Sequence, residues 1–103
     1  MPTAPLEPIW TTRAEADLLR EFTRREEAME RSGVELIETV DSAIRLLKLN
    51  PEMAPVYSAP YRRLLLKDRR LGMFYTVETR GLIIHAVSDL RQDRATILRH
   101  LGT

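Results

Sequence analysis

The 103-residue sequence contains no cysteine. That excludes disulfides, thiolate metal sites and a cysteine nucleophile, and it fits a reducing compartment. No apolar run comes near the roughly 20 residues a membrane helix needs. Residues 1–8 lack the basic start and apolar stretch of a signal peptide. The chain is therefore expected in the cytoplasm, with no membrane partner. Glycine is scarce: four are scattered at positions 33, 72, 81 and 102, which excludes a Gly-rich phosphate loop. No histidine shares metal-ligand spacing with carboxylates on one face, so neither a metal nor another cofactor is expected.

What is present describes an ordinary globular chain. Hydrophobic residues make up 44% and charged residues 30%, a balance that supports one packed core. The length suits a single domain over residues 9–103. Residues 1–8, with three prolines, form a tail or edge extension. Net charge is only +1, but its distribution is uneven. Residues 1–60 hold seven Lys/Arg against eleven Asp/Glu, whereas residues 61–103 hold nine against four. An acidic half followed by a basic half suits an anionic partner, nucleic acid or acidic peptide.

The apolar period defines the elements. Ile9 and Trp10 form a first strand fragment, with Trp10 as a core anchor. Thr12 and Glu15 have capping-box spacing, and Ala14, Leu18, Phe22 and Met29, with Leu19 beside them, share a helical stripe. This predicts a helix over about residues 13–30, with Glu26, Glu27 and Glu30 on its solvated face. Ser32 and Glu35 offer a second capping box. Val34, Ile37, Val40, Ile44 and Leu47 then keep the helical period until Asn50-Pro51 stops it. Two helices joined this closely must lie antiparallel.

After Pro60 the period falls to two. Residues 61–67, the alternating Met73, Tyr75 and Val77, and the β-rich residues 82–87 read as three strands. Thr79, Arg80 and Gly81 make a turn between the last two. Asp93 caps a short final helix with Ala95, Leu98 and Leu101 on one stripe and Gly102 as a stop. The expected class is α+β: an N-terminal strand and an antiparallel helical hairpin packed on an antiparallel sheet of three to four strands, then a short C-terminal helix.

Several local patterns within this order resemble the RelE/ParE toxin family. They are Trp10-Thr11 with Ala14 and Asp17-Leu18, Ala43-Ile44 with Leu47 and Asn50-Pro51, and Arg63 with Leu65. The run Gly72-Met73-Phe74-Tyr75-Thr76-Val77-Glu78 and the set Ile83-Ile84, Ala86-Val87, Arg91 and Asp93 complete the likeness, which spans about residues 9–95. The resemblance implies the toxin of a type II toxin–antitoxin system, neutralised by a cognate antitoxin in a hetero-oligomer. It also implies one of two targets, since RelE-like members cut messenger RNA on the ribosome and ParE-like members poison DNA gyrase.

Two positions separate these branches. Gly72 stands where RelE-like chains often carry a sheet arginine. Asp89, a carboxylate that repels phosphate, stands where they often carry a histidine. Both bring the chain closer to the ParE branch, so a gyrase-binding toxin is the first expectation. A ribosome-dependent messenger RNA endonuclease, or a degenerate toxin retaining only antitoxin binding, is the alternative. RNA cleavage without a metal needs a base, an acid and cations around the phosphate, and Arg63, Lys67, Tyr75 and Arg91 are the residues available for it. Arg62, Arg63, Arg69, Arg70, Arg91 and Leu98 are the expected partner-binding residues. Tyr75 and His85 otherwise read as packed side chains, and His100 as a cation favoured near a helix C-terminus.

Overall fold

The computed structural model describes residues 8–67 and 70–102. Its elements run β1 (Pro8–Trp10), α1 (Thr12–Ala28), α2 (Ser32–Leu49), β2 (Val56–Ser58), β3 (Tyr61–Leu65), β4 (Leu71–Glu78), β5 (Gly81–Asp89) and α3 (Arg94–Leu101). This is the expected α+β architecture. No helix among the described residues is long and apolar enough to cross a membrane.

The helical hairpin forms as its apolar stripes require, but its caps differ from the sequence reading. Thr11, not Thr12, caps α1: its Oγ1 accepts from the Ala14 backbone N–H at 3.1 Å. The Ser32–Glu35 box does not form. Arg31 precedes α2 in a left-handed conformation (φ 70°) with no side-chain cap of its own. The free N–H groups of Gly33 and Val34 donate instead to Glu26 Oε1, at 2.8 and 3.3 Å. Glu26 is thus half-buried, a cap supplied by the neighbouring helix and not part of a solvated face. The close approach explains the glycine: a Cβ on Gly33 would lie 2.6 Å from Glu26 Cγ and 2.8 Å from the Phe22 backbone oxygen. Leu19 and Met29, placed on the apolar stripe by period, are exposed. Met29 lies outside the helix, its backbone extended.

The sheet has five strands in the order β1-β5-β4-β3-β2. Two three-residue edge strands enlarge the expected sheet, and β1 pairs with β5 in parallel, so the sheet is mixed where an antiparallel one was expected. The remaining pairs are antiparallel. The β4–β5 turn is the expected one: Glu78 faces Gly81 across a two-residue loop, and Gly81 takes φ 137°, a value that suits glycine. Between the Phe74–Ala86 and Tyr75–Ile84 pairs the register slips, and His85 is left without a cross-strand partner. Such a bulge re-aims a side chain.

Two apolar clusters flank the sheet. Leu36, Val40, Ala43, Ile44 and Leu47 of the hairpin pack with Leu71, Met73, Tyr75, Leu82, Ile84 and Val87, and Trp10, Leu18 and Leu64 close around them. Phe74 and Ala86, which alternate with that set, form a smaller cluster with Ile97 and Leu101, bordered by Tyr57, Tyr61 and Leu98. The third helix therefore covers the face opposite the hairpin. Its buried residues are Ile97 and Leu101, with Leu98 half-buried and Ala95 exposed, a stripe turned from the expected one. Asp93 caps it through Thr96 at 2.7 Å, and Gly102 ends it at φ 88°, both as expected.

Candidate partner-binding surfaces

Beyond Trp10, β1 no longer covers the outer edge of β5, and helix α1 closes that edge with side chains. The Thr11 backbone N–H donates to the Ile84 carbonyl at 3.1 Å. Asp17, only 1% exposed, accepts from the Val87 N–H through Oδ2 at 3.0 Å. The same carboxylate accepts from Arg20 Nη2 at 2.6 Å and meets His100 Nε2 at 2.8–2.9 Å. One buried carboxylate thus ties α1, β5 and α3 together. His100 is a tether of the last helix, a role that its place near a helix end did not reveal.

Two open surfaces stand out among the described residues. The first is a groove of about 840 Å³ on the hairpin side, between α2 and the outer part of β3. Strand β2 pairs only with Tyr61 and Arg62, so Leu64 and Leu65 have no strand on their outer side. Leu46 and Leu65, each 51% exposed, make an apolar floor. Arg25, Glu35, Glu38 and Lys67 line the same groove.

The second surface is the sheet face beside α3. Thr76 Oγ1 lies 2.8 Å from His85 Nε2 and 2.7 Å from Glu78 Oε2. The hydroxyl has one hydrogen and the carboxylate can only accept, so Thr76 donates to Glu78 and accepts from His85 Nε2–H. The bond from Thr76 holds the Glu78 carboxyl below its ordinary value. Burial pushes the His85 imidazole below its ordinary value, assisted by Arg80 and Arg13 and opposed by Glu78. Tyr61 meets the His85 ring edge-on at 5.1 Å and donates its hydroxyl to the Leu101 carbonyl at 3.1 Å. Tyr57 meets Phe74 edge-on, also at 5.1 Å.

The sequence-predicted site residues disperse over this framework. Tyr75 is fully buried on the hairpin side. Its hydroxyl donates to the Pro51 carbonyl at 2.7 Å, and desolvation raises its pKa above the ordinary phenol value. Arg62, opposite Tyr75 in register, donates to the Glu52 and Ala54 carbonyls at 3.2 and 2.7 Å. Together these two side chains fix the segment between α2 and β2. Arg91 binds Asp89 through Nε and Nη2 at 2.7–3.2 Å and holds that carboxyl far below the usual range. Arg63 lies on the open face over Tyr57, Lys67 on the groove, and Arg70 at the exposed start of β4. Leu98 borders the second cluster, and Arg69 lies outside the described residues. Among the described residues no group of three or more His, Asp or Glu is arranged to hold a metal ion. Sequence reasoning missed Asp17, Thr76, Tyr57 and Arg94. Asp17 alone left a signal, an acidic residue on the inward stripe of an amphipathic helix.

No protein-family model matches the sequence, and no curated protein matches it. Among solved structures, it is similar to a chain of the chromosomal ParDE TA system from P. aeruginosa, with a TM-score of 0.72 at 14% identity. The superposition covers 84% of this chain and 98% of that one. At that identity the likeness is one of fold. The two chains share this fold over most of both lengths.

Proposed function

We propose that this chain is the toxin of a type II toxin–antitoxin module, a ParE-like protein that acts by binding DNA gyrase and is neutralised by a cognate antitoxin in the cytoplasm. The observation that carries the reading is the fold match over 98% of a chain from a ParDE system. The groove between α2 and β3 supports the antitoxin part. It offers exposed leucines, an uncovered strand edge and charges of both signs to a partner segment. The dispersal of Arg63, Lys67, Tyr75 and Arg91 supports binding over RNA cleavage, since an acid–base pair must converge on one reacting group.

One observation favours the second reading, a ribosome-dependent messenger RNA endonuclease. Burial holds the His85 imidazole on the open face below its ordinary pKa, and its Nε2–H donates to the Thr76 hydroxyl. Nδ1, which takes no hydrogen bond among the described residues, is the nitrogen left to act as a base.

The experiment is induced expression followed by two assays on the same cells. Trapped gyrase–DNA cleavage complexes with intact transcripts support the gyrase reading. Cut transcripts with normal supercoiling replace it with the nuclease. Healthy cells with neither signature leave antitoxin binding as the surviving function.

A further inference from the structure

The open face carries two cations that neither core cluster requires. Arg63 stands opposite Phe74 in register, and its stem passes over the bare backbone of Gly72. A Cβ there would lie 3.2 and 3.3 Å from Arg63 Cγ and Cδ, and 2.8 Å from Leu90 Cδ2. The guanidinium carbon of Arg63 comes to 4.9 Å from the Tyr57 ring centroid, and that of Arg94 to 4.7 Å from the same centroid. Arg94 is further held by its Nη groups, which donate to the Tyr57 carbonyl at 3.4 Å. Tyr57 is braced in turn by the edge of Phe74. One ring thus seats two guanidiniums.

Among the described residues, neither Arg63 nor Arg94 has a carboxylate within ion-pair distance. Arg20, Arg24, Arg62, Arg80 and Arg91 all have one. Two like charges held on one ring repel each other, and a bound oxyanion relieves that repulsion. The ring holds both guanidiniums in place. Arg94 commits its Nη groups to the Tyr57 carbonyl and keeps its Nε–H. Among the described residues the Arg63 guanidinium makes no hydrogen bond, so its N–H groups remain for a carboxylate or phosphate.

We propose that the Arg63–Tyr57–Arg94 cluster is an oxyanion-binding site that takes a carboxylate side chain from an acidic peptide segment of a partner protein. The surroundings favour a peptide over a nucleic acid. The half-buried Leu98, one helical turn from Arg94, gives the site an apolar border, which suits a segment with apolar residues between its acids. Glu78 and Asp93, on the same side of the sheet, interrupt the continuous positive track that a phosphate backbone needs. The inference does not rest on the toxin reading. It concerns the face opposite the groove and holds for any function of the chain.

The test uses the isotope-labelled full chain and follows the arginine Nε–H signals by NMR. The probes are a synthetic Glu-Leu-Ala repeat peptide, the same peptide with Gln for Glu, and a single-stranded oligouridylate. The Glu peptide is expected to shift the Arg63 and Arg94 signals in a saturable, salt-sensitive way. Affinity should fall roughly tenfold or more in both R63Q/R94Q and R63K/R94K, since lysine keeps the charge but loses the stacked fork. Unchanged backbone amide signals in the lysine variant show that its fold survives. The proposal is overturned by any of four results: no saturable shift, equal binding of the Gln peptide, tighter binding of the oligouridylate at these arginines, or wild-type affinity in the lysine variant.

Discussion

The two faces of the sheet differ in kind. The hairpin side is closed: Leu36, Leu47, Met73, Tyr75, Leu82 and Ile84 are all 2% exposed or less. Its polar atoms, such as the Tyr75 hydroxyl and the Arg62 guanidinium, are spent on the carbonyls of one connecting segment. The apolar cluster of the opposite side is smaller among the described residues: Phe74, Ala86, Ile97 and Leu101. Around them lie the half-buried Tyr57 and Tyr61, the Arg63 and Arg94 guanidiniums, and the Thr76 hydroxyl shared by His85 and Glu78. The first face makes the fold, and the second is held in shape by a short helix tethered through Asp17. A chain of this size has little stability in reserve, and the hairpin side holds the larger of its two apolar clusters.

The sharpest way to break that contrast is to open each face in turn. Leu47→Ala should cost about 2–5 kcal/mol, because a fully buried leucine leaves a cavity that the hairpin cannot close. Leu98→Ala on the other side should cost clearly less, because that side chain is only partly buried. Urea unfolding of both variants checks the order, and equal losses would erase the distinction between the faces.

Asp17 joins the two sides, so its loss comes next. Asp17→Ala leaves the Val87 N–H buried without an acceptor and frees His100, and should cost about 1–3 kcal/mol. Faster hydrogen exchange in residues 94–101 should accompany it. Exchange there as slow as in the wild type would mean that α3 holds without the tether.

A smaller effect concerns pH. Burial lowers the His85 pKa in the folded chain below its ordinary value, so the unfolded chain binds more protons between the two values. The stability from neutral His85 is therefore present above about pH 6.5, the ordinary histidine value, and is lost as pH falls toward the folded value. The urea midpoint of the wild type should drop more between pH 7.5 and 5.5 than that of His85→Gln. Parallel drops would show that the imidazole is no more buried than it is in the unfolded chain.

The comparison also explains what the sequence could reveal. Apolar period is local, so α1, α2 and the β4–β5 hairpin were legible, and for α3 the caps Asp93 and Gly102 were legible too. The edge strands β1 and β2 were not fully so, because three residues carry no measurable period. The rotation of α3 was missed because its orientation follows from His100 meeting Asp17, 83 positions away. The Glu26 cap escaped for the same reason, since a capping box is sought within one helix and this acceptor came from another. The open face was the least legible. Arg94, Tyr57 and Arg63 belong to three elements, and only the strand order brings them to one ring.

The central claim is that the protein acts by binding, not through an acid–base centre on its open face. Growth after induction of His85→Gln tests it most directly, with circular dichroism and antitoxin pull-down as controls for folding. An essential general base is worth about 10²–10⁴-fold in rate, so its loss would be visible in survival. The account predicts arrest as complete as with the wild-type chain. Full rescue of growth by a folded His85→Gln protein would contradict it.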